Sequence, residues 1–176
     1  MMGGNDTVVS KERRRETILN GILLVLILVA TASVGFAFMS PQDQGFTEFF
    51  LLTENESGDL VAADYPKQFV SGGSGELIVG ITNRENERTA YTVVVQLHRV
   101  IGDGDSDTVV ERESLEQFEA QLEDGETWQR QHTVTPTMIG DRLRLTYLLY
   151  RDEPPETPTV GSSYRETHIW INVTPG

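Results

Sequence analysis

From Ile18 to Met39 the chain carries no charged residue, and 17 of those 22 residues are apolar. No other stretch restricts the possible folds as tightly. At ~1.5 Å rise per residue the run makes a helix of ~33 Å, enough to cross a hydrocarbon core of ~30 Å. A helix is required there because, inside lipid, every backbone N–H and C=O must be paired within the segment. Lys11, Arg13, Arg14 and Arg15 precede the run, and no further Lys or Arg occurs before Lys67. Basic flanks stay on the cytoplasmic side. The pattern predicts a cytoplasmic segment 1–17, a membrane helix 18–39 acting as signal-anchor, a short linker 40–44 and an extracellular domain 45–176. A cleaved signal peptide competes with this reading, because Ala30-Thr31-Ala32 has the small-x-small form of a cleavage site. The apolar run continues beyond it through Val34, Phe36, Phe38 and Met39, which favours the uncleaved anchor.

Dividing the charge by this topology is informative. The whole chain has 14 Lys+Arg and 27 Asp+Glu, a formal net of −13. Residues 1–17 carry four basic and three acidic side chains, whereas residues 40–176 carry 10 basic and 24 acidic ones, a net of −14. Such a surface argues against nucleic-acid binding, which needs a basic stripe to meet phosphates. Only Lys11 and Lys67 are lysines. Abundant, dispersed carboxylates with few lysines suit a protein of high-salt surroundings, where dense salt screens self-repulsion. An ordinary acidic protein is the plainer alternative. Cysteine is absent, which excludes disulfides, thiol nucleophiles, lipoprotein anchoring and Cys-containing zinc sites.

Beyond residue 45 apolar residues alternate. Leu77, Val79 and Ile81 form one such series; Tyr91, Val93, Val95 and Leu97 form another. Leu143, Leu145, Tyr147 and Leu149 make a third, and Ile169, Ile171 and Val173 a fourth. Period-two runs rich in β-branched and aromatic residues read as half-buried strands. Turn-forming clusters separate them, including Gly72-Gly73-Ser74-Gly75, Asp124-Gly125 and Pro154-Pro155. The predicted strands are 46–52, 68–70, 76–83, 89–101, 108–118, 127–134, 141–151 and 165–173. A mostly β fold follows: an Ig-like antiparallel β-sandwich of seven or eight strands after the membrane helix. Glu111 to Leu122 is ambiguous, since Leu115, Phe118 and Leu122 have helical spacing. Strand is preferred there because neighbouring segments need an antiparallel partner.

Several segments in combination resemble a known family. They are Gly45-Phe46-Thr47-Glu48-Phe49-Phe50-Leu51-Leu52, Ala63-Asp64-Tyr65-Pro66, Val79-Gly80-Ile81-Thr82-Asn83, Ala90-Tyr91-Thr92-Val93-Val94-Val95 and Leu122-Glu123-Asp124-Gly125-Glu126-Thr127-Trp128. They are similar to domain of unknown function 1616, a set of archaeal membrane proteins common in haloarchaea. The resemblance implies an extracytoplasmic Ig-like or adhesion-type sandwich and brings no catalytic residues. Members often carry several membrane helices before this domain, whereas one is predicted here.

Candidate chemistry is sparse. Asn55-Glu56-Ser57 and Asn172-Val173-Thr174 are N-glycosylation sequons on the predicted outer side. Asp103, Asp105 and Asp107 alternate as in a calcium loop. Thr108 and Ser114 stand where the full loop wants Gly and Glu, so at most a weakly bound calcium is expected, and a solvated acidic hairpin is the plainer reading. His98, His132 and His168 fall on different strands, which disfavours a three-histidine metal site. No Gly-x-Ser-x-Gly elbow is present, and the Gly72–Gly75 segment lacks the Lys of a phosphate loop. Trp128 and Trp170 read as packing residues, and Arg142 and Arg144 as outward residues paired with nearby acids. An enzyme is therefore not expected, and no cofactor is implied.

The expected role is interaction. The domain reads as a structural or assembly component of a haloarchaeal cell envelope, docking onto other envelope or surface-layer proteins or onto itself. The strand bearing Phe46, Glu48, Phe50 and Leu52 is the candidate pairing edge, since it directly follows the anchor. A surface module for carbohydrate or cation, and an accessory factor for envelope glycosylation or secretion, are the alternatives.

Overall fold

The computed structural model describes residues 45–102 and 107–176. The predicted membrane helix and the segments flanking it lie outside the described residues, as do Asp103 and Asp105. Among the described residues no helix is long and apolar enough to cross a membrane.

Among the described residues there are nine strands and one 3-10 turn. The strands are β1 (Phe46–Glu54), β2 (Leu60–Val61), β3 (Gln68–Val70), β4 (Gly75–Arg84), β5 (Thr89–Ile101), β6 (Thr108–Leu122), β7 (Thr127–Val134), β8 (Gly140–Arg151) and β9 (Arg165–Thr174). They form a four-stranded sheet in the order β2-β1-β4-β7 and a five-stranded sheet in the order β3-β9-β8-β5-β6. The alternating residues of the sequence supply the layer between the sheets. Leu77, Val79 and Ile81 of β4 meet Tyr91, Val93, Val95 and Leu97 of β5 in one core. Leu143, Leu145, Tyr147 and Leu149 of β8 and Ile169, Ile171 and Val173 of β9 complete it.

Three features differ from the expectation. There are nine strands rather than seven or eight, because Leu60–Val61 makes a two-residue pairing with Thr53 and Glu54 of β1. The five-stranded sheet is mixed, not wholly antiparallel. β3 runs parallel to β9, with Gln68 opposite Asn172 and Val70 opposite Thr174. A three-residue strand that crosses from the neighbourhood of one sheet to the margin of the other leaves no periodicity to read. Thirdly, β6 continues to Leu122.

The ambiguous stretch is a strand with a physical reason for its helical look. The register of β6 against β5 shifts between Val95 and Gln96, so Leu115 is the extra residue of a β-bulge. A bulge resets which face a strand presents. Leu115 therefore packs against the same core as Phe118 and Leu122 despite the odd spacing.

One glycine is required by packing. A Cβ on Gly80 would collide with the ring of Phe50, its cross-strand partner on β1. The ring lies over the bare backbone on the outer face of the four-stranded sheet, which half-buries Phe50.

Candidate functional site

Strand β1 pairs with β4 from Phe46 to Leu52. On its other side it meets β2 only at Thr53 and Glu54. Among the described residues, the margin from Phe46 to Leu52 thus carries no strand partner. A margin of this kind presents a row of main-chain donors and acceptors to an incoming strand, although here the Leu51 carbonyl already accepts a 2.8 Å hydrogen bond from Tyr65 Oη. Phe46, Glu48, Phe50 and Leu52 all face outward, while Thr47, Leu51 and Thr53 are buried beneath them. Phe46 is 44% exposed. Glu48 is held by Arg84 of β4 at 3.0 Å.

Asn55 sits in the turn between β1 and β2. Its Oδ1 accepts hydrogen bonds from the N–H groups of Ser57 and Asp59, both at 2.9 Å. Gly58 takes the positive φ of 85° that this turn requires. The sequon is therefore carried on an ordered, solvent-facing turn. Asn172 is placed differently. It lies within β9, half-buried, and its Oδ1 accepts the N–H of Arg142 at 2.8 Å. Asp107 is described, and the other two residues of the acidic loop are not. Among the described residues no three His, Asp or Glu side chains are arranged to hold a metal.

The three histidines are not brought together. His98 lies on the outer face of the five-stranded sheet yet is only 1% exposed. It hydrogen-bonds Gln96 at 2.8 Å and Thr146 at 3.2 Å. Burial, helped by the nearby Arg144 and Arg112 charges, lowers its pKa to about 4. His132 is on the inner face of β7 and shares a 2.9 Å hydrogen bond with Tyr147 Oη. Its Nδ1 lies 3.3 Å from Glu116 Oε2, off the axis of a hydrogen bond. Burial lowers the His132 pKa, and Glu116 opposes that shift. His168 is exposed and lies 3.3 Å from Glu166.

Sequence reasoning missed a buried carboxylate. The Glu85 side chain is only 6% exposed. It accepts hydrogen bonds from Thr47 at 2.5 Å and Tyr164 at 2.6 Å. Burial pushes its pKa up, but these hydroxyls together with Arg151 and Arg165 outweigh it and hold the carboxyl below its usual value. Glu85, Tyr164 and Arg151 pin the β4–β5 turn to the β8–β9 connection. In sequence, Glu85 resembles any loop carboxylate. The two tryptophans behave as packing residues: Trp128 lies against the core and Phe118, and Trp170 lies on the outer face of β9. Arg142 and Arg144 do face outward, but the expected pairing with acids is corrected. Arg142 lies over the Trp170 ring at 4.7 Å, and neither arginine forms an ion pair among the described residues.

A family model described as Domain of unknown function (DUF1616) matches residues 40–172. The chain belongs to the DUF1616 family. The match spans β1 to β9 nearly entirely, so the open β1 margin and the Asn55 turn are parts of the DUF1616 domain of this chain. No curated protein matches its sequence. Solved structures similar to this DUF1616 chain include a β-glucosidase from Listeria innocua in complex with glucose, with 14% identity and a TM-score of 0.47, covering 74% of this chain and 16% of that one. The CARDB domain of a Pyrococcus furiosus protein in complex with di-metal ions has 13% identity and a TM-score of 0.44, covering 75% of this chain and 90% of that one. A sporulation control protein from Bacillus subtilis has 13% identity and a TM-score of 0.39, covering 74% and 49%. The DUF1616 chain thus spans about a sixth of the β-glucosidase. None of these similarities carries chemistry to it.

Proposed function

We propose that this DUF1616 protein is a membrane-anchored, extracytoplasmic Ig-like module that assembles components of the cell envelope through strand pairing. The observation that carries the reading is the β1 margin from Phe46 to Leu52, which has no strand partner among the described residues. Main-chain hydrogen bonds along such a margin give affinity, and the outward side chains give selectivity. The margin begins only seven residues after the apolar run ends at Met39, so a single anchor would hold it close to the bilayer. There it would meet the membrane-proximal parts of other envelope proteins.

The strand order supports the Ig-like reading. β1-β4-β7 against β3-β9-β8-β5-β6 corresponds to strands A-B-E against A′-G-F-C-C′ of an immunoglobulin-type sandwich. The inter-sheet disulfide of antibody domains has no counterpart here, since cysteine is absent. The asymmetric charge, +1 before the apolar run and −14 after it, supports an outer location in salty surroundings. The function is interaction rather than catalysis, and no cofactor is assigned.

The test is gentle detergent extraction of the protein from its native membrane, followed by mass spectrometry of what co-purifies. An envelope partner retained by the wild type and lost with Leu51→Pro, in a variant that still melts cooperatively, supports the reading. Only the bare chain in the extract counts against it. Protease added to intact cells should digest residues 45–176; full protection would sink the proposed topology.

A further inference from the structure

Ten basic residues serve the acidic region 40–176, and five of them, Arg84, Arg88, Arg99, Arg130 and Arg151, form ion pairs with carboxylates. Arg112, Arg142 and Arg144 form none among the described residues, yet the sheet register gathers them. Arg144 of β8 is the cross-strand partner of Trp170 on β9 and of His98 on β5. His98 is in turn the partner of Arg112 on β6. Trp170, Arg144, His98 and Arg112 therefore form one row across four strands of the outer face, ~15 Å long at ~4.8 Å per strand. Arg142 joins it through the irregularity between Gly140 and Leu143, where it adopts a φ of 52° rarely taken by a side chain of its size. Arg112 and Arg142 are exposed. Arg144 is half-buried, and its Nε is buried with no hydrogen-bond partner. Two rows along, Glu166 is turned to His168.

The other end of the same face has the opposite sign. Six residues back along β5, Thr92 faces Glu119 of β6. Glu119, Asp152 and Glu153 line one cleft with Ala90, Thr92 and Gln121. These three acids form no ion pair among the described residues. Six residues of strand place the two poles ~20 Å apart.

We propose that this outer sheet face is a self-association surface, on which Arg112, Arg142 and Arg144 of one copy meet Glu119, Asp152 and Glu153 of a second. Because both poles lie on one face, a two-fold rotation brings each pole onto its opposite in the other copy, and the pair closes as a dimer. Net charge of the same sign opposes the encounter at long range. At ionic strengths of about 0.15 to 1 M the Debye length falls from ~8 to ~3 Å, which screens that repulsion more than it weakens close, partly buried contacts. The surface is separate from the β1 margin and does not rest on the strand-pairing reading.

Complementary charge reversal tests it. The full chain, held in a density-matched detergent, is followed by analytical ultracentrifugation across a dilution series. Wild type is expected to dimerise. R112E/R142E alone and E119R/E153R alone are each expected to lose the dimer. An equimolar mixture of the two is expected to recover it, because both contacts of the mixed pair are again between opposite charges. A misfolded variant would not recover on mixing. A wild type that stays monomeric throughout overturns the proposal, as does a dimer surviving either reversal or a mixture that fails to pair. A Leu51→Pro chain that still dimerises would separate this surface from the β1 margin.

Discussion

Tyr147 Oη lies 2.9 Å from His132 Nε2, and this hydrogen bond joins β8 of the five-stranded sheet to β7 of the four-stranded one. Tyr147 is fully buried and His132 nearly so. In a sandwich without disulfides, it is a polar tie across the apolar layer. Its rings also stack edge to face, His132 with Tyr147 at 5.5 Å and with Phe118 at 5.1 Å.

Removing the phenol hydroxyl should therefore cost more than a surface bond would. Tyr147→Phe keeps the ring but leaves a buried imidazole nitrogen without a partner, a loss of about 1–3 kcal/mol. Urea unfolding monitored by tryptophan fluorescence measures it, with an unchanged slope showing that only stability moved. A Tyr147→Phe protein as stable as wild type would show the tie to be dispensable.

Acid should weaken the domain in two steps. His98 titrates at about 4 in the folded protein, below its unfolded value of 6.5, because it is buried beside Arg144 and Arg112. Between those values the unfolded chain binds more protons, so stability falls as pH drops from about 6.5 to about 4 and is level above. The span corresponds to about 3 kcal/mol at ~1.4 kcal/mol per pH unit. His132 shifts in the same direction, so replacing one histidine removes only part of the slope. Glu85 acts lower: its folded pKa is held below 4.5, so its contribution is present above that value and lost on further acidification. Unfolding titrations of wild type and His98→Gln from pH 7 to pH 4 should converge as the pH falls.

Gly80 and Phe50 should behave as a coupled pair. Gly80→Ala forces the Phe50 ring aside and should cost about 1–3 kcal/mol, the usual range for overpacking. Phe50→Ala alone exposes the Gly80 backbone. The double variant should be less damaged than the sum of the two, by about 0.5–3 kcal/mol. Thermal melts of all four proteins close the cycle, and simple additivity would contradict the contact.

Asn55 should separate modification from folding. Asn55→Asp retains an oxygen to accept the Ser57 and Asp59 N–H groups. It should abolish any glycan mass on that site while shifting stability by less than about 1 kcal/mol. Intact-mass spectrometry of the native-host protein, compared with Ser57→Ala, reads the outcome. The half-buried Asn172, whose amide oxygen is engaged with Arg142, should be occupied less than Asn55.

Most strands were legible because alternation is a local property. Leu77, Val79 and Ile81 declare a buried face whatever they pair with. The choice of strand for Glu111 to Leu122 rested on the need for a partner, and the bulge at Leu115 explains why periodicity alone pointed elsewhere. The β1 candidate edge was legible only as a strand; that its outer margin meets β2 at just two residues depends on the path of the chain after Glu54.

By itself the sequence determined the strand segments, the turns between them, the acidic surface and the absence of thiol chemistry, because each follows from residue type and near neighbours. Tertiary structure decided what depends on registers between distant segments. The parallel pairing of Gln68–Val70 with β9, the burial of Glu85 beneath Thr47 and Tyr164, and the alignment of Arg112 with His98 and Arg144 all join residues on different strands or loops, most of them dozens of positions apart. A one-residue slip in any of those registers would turn the same side chains to the opposite face, and nothing local to Arg112, Glu85 or Gln68 specifies against it.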